Sequence, residues 1–282
     1  MSRRAFAARP LLLLLIVLAM GQGVFGQNPT PASASAVSKF VGTWQEDESK
    51  RKGVTATLTF RSNASGALEE VRGSELRPLV QPVNFTGQPY AIDDSKNTIA
   101  WKQIDSNRFE RALYSAGRLL NTRRLALSAD GKTLTEETEA IQSGEGKTLV
   151  TAVFQRESGD QGLAGRWRAA SFKSSAPLRV TYEAAGSNGI KVTIRGGNPT
   201  TTTAMLDNKP VPVVGEAVIS GTMTAVRQVD ESTLEFTASR QGTTTGKSVR
   251  VVSADGKTMT VTSTDLGPNA SKEPSVTVFI KQ

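Results

Sequence analysis

The 282-residue chain contains no cysteine and no histidine. Without cysteine there is no disulfide framework, no thiolate nucleophile and no thiolate metal ligand. Without histidine, Ser-His-Asp and Cys-His catalysis and every imidazole-bound metal are excluded. Only oxygen ligands remain. The densest carboxylate groups, Glu46-Asp47-Glu48 and Asp93-Asp94, do not follow calcium-loop spacing and read as turn residues. Neither a metal nor a cofactor is expected. Aromatic residues are only 6% of the chain, which leaves no stacking platform for nucleic acid. After residue 26 no apolar run is long enough for a membrane-spanning helix.

One apolar run is present at the start. Arg3 and Arg4 precede ten apolar residues from Leu11 to Met20, followed by Val24-Phe25-Gly26. This pattern is that of a secretory signal peptide over residues 1–26, cleaved after Gly26, and implies a secreted or periplasmic protein. Residues 27–37, rich in Pro, Ser and Ala, read as a disordered tether. The net charge of +8 includes Arg3, Arg4 and Arg9. Residues 27–160 carry 17 basic and 17 acidic side chains, and residues 161–282 carry 14 and 9. The excess in the second part is spread along the chain with no basic run, as on a solvated surface; nucleic acid is not an expected partner.

What remains is written twice. Ser128-Ala129-Asp130-Gly131-Lys132-Thr133 recurs unchanged at 253–258, and Gly42-Thr43-Trp44 returns as Gly165-Arg166-Trp167. Ile104-Asp105 matches Val229-Asp230, and Val153-Phe154 matches Val278-Phe279. The spacing between copies stays within 121 to 125 residues, the signature of a tandem duplication. Expected boundaries are 38–156 for copy one, a linker at 157–162, and 163–282 for copy two.

Apolar and polar residues alternate with period two. Val54, Ala56, Leu58 and Phe60 interleave with threonines and Arg61, and Ile190, Val192 and Ile194 with Lys191, Thr193 and Arg195. Such runs form half-buried antiparallel strands. The repeated Ala-Asp-Gly-Lys supplies a tight turn, with the glycine at positive φ. Eight or nine strands per copy are expected, each copy curling into an all-β antiparallel meander barrel that leaves no free edge. Two β-sandwiches are the alternative.

Phe40-Val41-Gly42-Thr43-Trp44 at the head of a meander resembles the first strand of the lipocalin and fatty-acid-binding (calycin) group, and Leu163-Ala164-Gly165-Arg166-Trp167 opens copy two in the same way. The tandem layout also resembles secreted bacterial β-rich proteins. The calycin resemblance implies a barrel closed at one end by an indole lying under a basic side chain from a late strand. It therefore implies Arg156 over Trp44 and Lys281 over Trp167. The helical lid of fatty-acid carriers has no counterpart, because about ten residues separate Trp44 from the next strand.

These features favour a non-enzymatic protein that binds a small, partly apolar ligand in a barrel cavity, with Phe60, Trp101, Phe109, Tyr114, Tyr182 and Phe236 as candidate lining. The alternative is an interaction module presenting two rigid β-domains to an envelope protein or polymer. A carboxylate-based hydrolase would need Glu69-Glu70 or Glu136-Glu137 to converge on a substrate. Adjacent strand residues point to opposite faces, so neither pair converges by itself.

Overall fold

The computed structural model describes residues 37–53, 56–72, 78–92, 96–142, 146–159, 161–266 and 274–282. The expected signal peptide, all of the tether except Val37, and Asp93-Asp94 lie outside the described residues. Val37 is not tether: it is fully buried in the core beside Phe40 and accepts backbone hydrogen bonds from Phe40 and Val41. Among the described residues no helix is long and apolar enough to cross a membrane.

The described residues form twenty β-strands. The first ten are β1 (Gly42–Glu46), β2 (Thr57–Ser62), β3 (Leu68–Arg72), β4 (Leu79–Pro82), β5 (Tyr90–Ala91), β6 (Asn97–Gln103), β7 (Arg108–Ser115), β8 (Arg118–Leu127), β9 (Thr133–Gln142) and β10 (Gly146–Ser158). The second ten are β11 (Gly165–Ser174), β12 (Arg179–Ala184), β13 (Gly189–Arg195), β14 (Thr200–Met205), β15 (Val211–Pro212), β16 (Thr222–Asp230), β17 (Thr233–Arg240), β18 (Thr243–Val252), β19 (Thr258–Asp265) and β20 (Ser275–Lys281). They make two antiparallel ten-stranded sheets, each curled into a barrel. The first barrel runs β4-β3-β2-β11-β10-β9-β8-β7-β6-β5, and the second β14-β13-β12-β1-β20-β19-β18-β17-β16-β15. The second is the more closed: its edges are joined by bridges Thr201–Val214 and Asp207–Arg227. The first has the corresponding bridge Thr86–Lys102.

The strand order is the same in both barrels except that the opening strands are exchanged. Strand β1 lies between β12 and β20, pairing Trp44 with Val180 and with Lys281. Strand β11 lies between β10 and β2, pairing Trp167 with Arg156 and with Leu58. The barrels therefore do not follow the halves 38–156 and 163–282 expected from the repeat. Glu46, buried at the end of β1, holds Arg51 at the crossover through Nε (2.7 Å) and Nη2 (2.6 Å). A second tie runs through the segment between β15 and β16: Glu216 pairs with Arg118, and Ala217 packs against the first barrel's core.

The repeated Ser-Ala-Asp-Gly-Lys-Thr segment forms the same turn twice. Each serine hydroxyl donates to the aspartate at 2.6 Å, and the aspartate accepts from the lysine N–H at 3.0 Å. Gly131 and Gly256 both sit at φ +69°, which glycine adopts without the Cβ penalty. The serine hydroxyl, more than the lysine N–H, draws Asp130 and Asp255 below the ordinary carboxylate range. The motif is structural.

Candidate functional site

At one end of each barrel an indole is closed over by a cation. Trp44 and Trp167 are fully buried, and each donates Nε1–H to a carbonyl four residues back, Phe40 O at 2.7 Å and Leu163 O at 3.0 Å. The Arg156 guanidinium lies 4.0 Å from the Trp167 ring centroid and Lys281 Nζ lies 5.1 Å from that of Trp44. The four sealing residues are brought together, but the pairing implied by the calycin resemblance is reversed because β1 and β11 have changed places. The glycine two residues before each indole makes room for the cation. A Cβ on Gly165 would lie 2.8 Å from Arg156 Nη1, and one on Gly42 would lie 3.0 Å from Lys281 Cε. Arg156 also donates to the carbonyls of Gly131, Ala164 and Gly162 at 2.6–2.7 Å, and Lys281 Nζ donates to Lys39 O at 3.4 Å.

Inside the barrels, strand register identifies equivalent positions. Leu58 faces Arg72 as Val180 faces Ile194, and Glu70 faces Gln81 as Val192 faces Thr202. Arg111 faces Arg123 as Phe236 faces Ser248, and Leu125 faces Glu136 as Arg250 faces Val261. Even the bulges coincide, after Leu113 in one barrel and after Ala238 in the other.

In the first barrel these positions carry a buried ionic cluster. Arg123 donates through Nη1 to Glu70 (2.9 Å) and through Nη2 to Glu136 (2.5 Å). Arg72 binds the same two carboxylates. Glu70, Glu136, Arg111 and Arg123 are all buried. Burial pushes the Glu136 carboxyl above its ordinary value, against the pull of Arg72, and pushes Arg111 below its own, against the pull of Glu70. Thus one member of each adjacent pair, Glu70 and Glu136, does converge, but onto guanidinium groups. The rest of the interior is filled by an apolar cluster in which Trp101 meets Phe60 edge-on at 6.0 Å, and Phe85 contacts both Trp101 (6.2 Å) and Phe109 (5.5 Å). Tyr114, on the strand face opposite Leu113, is half-buried and outside that cluster.

The second barrel has lost the bulk. Val192, Ile194, Phe236 and Ser248 replace Glu70, Arg72, Arg111 and Arg123, and together with Ala238 and Arg250 they line a cavity of about 290 Å³. That is room for about ten waters. Hydroxyls of Thr202 and Thr224 add polar character to the wall. Arg250 stacks over Phe236, 3.6 Å from the ring centroid, and donates through Nη1 to the Tyr182 hydroxyl. Tyr182 is fully buried, and burial raises its pKa against the pull of Arg250. Of the six candidate lining residues, Phe236 lines this cavity and Tyr182 supports Arg250 beside it, while Phe60, Trp101 and Phe109 fill the other barrel. Sequence reasoning missed Arg250; its signal was a cation standing at the position of Leu125.

A larger cleft, about 560 Å³, runs over Ile104 and Phe109, but its walls include the exposed Arg124–Glu110 pair and exposed Arg108 on the outside of the first barrel. No family model, curated protein or solved structure matches this chain.

Proposed function

We propose that this is a secreted or periplasmic carrier that binds a small, partly apolar molecule non-covalently inside its second barrel. One observation carries the reading. At equivalent register positions the first barrel is packed with long charged side chains, and the second has short or apolar ones around about 290 Å³ of space. Ligand pockets of this type begin at about 300 Å³ and combine apolar walls with a few convergent polar groups. Val192, Ile194 and Phe236 supply the walls, and Thr202, Ser248 and Arg250 the polar groups. Binding would come from desolvation of the ligand's apolar surface in a preformed site, with orientation fixed by hydrogen bonds. The rival reading, two rigid domains presenting outer faces to a partner, has no comparable feature behind it.

Titration of the full chain with the neutral fluorescent probe phenylnaphthylamine tests this. The wild-type chain binds it saturably. Ala238→Leu, which restores the residue found at the matching position of the first barrel, abolishes binding without unfolding the chain. Equal binding by the wild type and by Ala238→Leu refutes the proposed location.

A further inference from the structure

A second opening lies where the chain crosses between the barrels. It is a cleft of about 300 Å³, lined by Glu46, Arg51, Phe172, Leu178, Ser275 and Thr277. The fold itself does not require the acid. Glu46 faces Phe279 across β1 and β20, as Ala169 faces Phe154 across β11 and β10. The same interior position therefore holds a small apolar residue in the first barrel and a carboxylate in the second, and both are buried. Glu46 Oε1 accepts both of the Arg51 hydrogen bonds, while Oε2 is buried and accepts none. Glu70 also has an unpartnered Oε2, but Glu70 sits inside the packed ionic cluster, whereas Glu46 borders open space. Arg51 gives two of its five N–H donors to Glu46, and among the described residues its guanidinium makes no other hydrogen bond. It stacks on Phe172 at 4.7 Å from the ring centroid, yet that ring stays 42% exposed.

We propose that this cleft binds a neutral sugar, at a site separate from the cavity of the second barrel and independent of it. Three properties point to that class. Among the described residues Glu46 and Arg51 are the only charged side chains in the lining, and they neutralise each other, so neither a cation nor an anion meets a free counter-charge. The ion pair offers an acceptor, Oε2, beside the remaining guanidinium donors, and Ser275 and Thr277 add hydroxyls. Adjacent sugar hydroxyls each donate and accept, so they match an acceptor and a donor placed side by side. Phe172 supplies an aromatic surface whose electron-rich face attracts the positively polarised C–H groups on the apolar side of a pyranose ring. Leu178 completes an apolar wall. A hydroxyl donating to Oε2 also removes the free-energy cost of leaving that buried oxygen unsatisfied.

Ligand-detected NMR titration of the full chain with methyl β-glucoside tests this. At the efficiency of ordinary small ligands, about a dozen heavy atoms sustain a Kd of about 1 mM. Phe172→Ala removes a part-exposed ring, and Glu46→Ala installs the residue of the matching position in β11. Each weakens binding about 10-fold, the worth of an aromatic contact or of a hydrogen bond to a charged group, while urea unfolding shows both variants folded. Ala238→Leu, which fills the second-barrel cavity, leaves the glucoside Kd unchanged, so this site and the carrier reading fail or stand separately. No saturable binding at about ten times the expected Kd, or the same Kd in the wild type, Phe172→Ala and Glu46→Ala, overturns the inference. Binding of cyclohexylamine in place of the glucoside also overturns it, because the occupant would then be a cation held by Glu46.

Discussion

Replacing Glu70 by valine, the residue that the second barrel carries at the same register, should be among the most damaging single changes available. Glu70 is fully buried, and its Oε1 accepts from Arg72 Nε and from Arg123 Nη1. Among the described residues, removing it leaves three interior arginines, Arg72, Arg111 and Arg123, against the single carboxylate of Glu136. Breaking a buried ion pair from one side costs about 3–5 kcal/mol, because the surviving charge stays desolvated. At about 2–4 °C per kcal/mol for a protein of this size class, Tm should fall by about 6–20 °C. The reasoning makes a second, sharper demand. Glu70→Val combined with Arg123→Met removes one charge of each sign and should recover a large part of the loss, with a coupling energy of about 1–3 kcal/mol. Urea unfolding of the wild type, both single variants and the double variant, followed by tryptophan fluorescence, closes the cycle. A Glu70→Val variant within about 1 kcal/mol of wild type, or a double variant that loses the full sum of the singles, would show that the cluster is not an interdependent unit.

Three further outcomes are expected. Because the chain has no cysteine, a single engineered pair reports unambiguously on the strand exchange: Thr43→Cys with Thr181→Cys, whose hydroxyls lie 3.1 Å apart, should oxidise to an intrachain disulfide seen by mass spectrometry. Thr43→Cys with Thr59→Cys should not, and efficient cross-linking of that pair would mean unexchanged barrels. Gly165→Ala should lower the urea midpoint, since φ is +143° and the new Cβ would meet Ser158 O at 2.3 Å; a strained backbone costs about 1–3 kcal/mol, and an unchanged midpoint would contradict the seal geometry. Burial raises the Tyr182 pKa above its ordinary value of 10.0, so the folded state holds that proton more tightly than the unfolded state. The associated stability is complete below pH 10 and is lost as pH rises from there through the folded value. Tyr182→Phe should flatten this alkaline decline in unfolding free energy, and an identical decline in both proteins would sink the assignment.

The strands and turns were legible because alternation and turn chemistry are local. Leu58 and Phe60 point inward as their spacing requires, and the twin Asp-Gly turns form where they are written. Strand β14 was not legible: Thr200-Thr201-Thr202-Thr203 has no apolar alternation, since threonine serves on either face of a sheet. Strand β4, four residues ending in proline, gave too short a run. These two raise the expected eight or nine strands per barrel to ten. The exchange of β1 and β11 was hidden for a different reason. Both strands carry glycine two residues before a buried tryptophan, so either fits beneath either cation, and pairing preference alone does not separate them. The cavity could have been read by setting the repeats against each other. Arg111 opposite Phe236, Arg123 opposite Ser248 and Glu136 opposite Val261 are changes of size and charge at inward positions of matched strands. Comparing the copies by their aromatics alone drew Trp101 and Phe109 into the expected lining together with Phe236.

The crossed opening strands also set a timetable for biogenesis. Strand β1 is synthesised well before one of its two neighbours, β20, and Lys281 finally rests over a carbonyl 242 positions upstream. Until that late segment arrives, β1 has an unpaired edge and its indole lacks its cover. Closure of such distant partners is intrinsically slow. Until β20 has been made, the nascent polypeptide must therefore be kept from pairing β1 with the wrong neighbour.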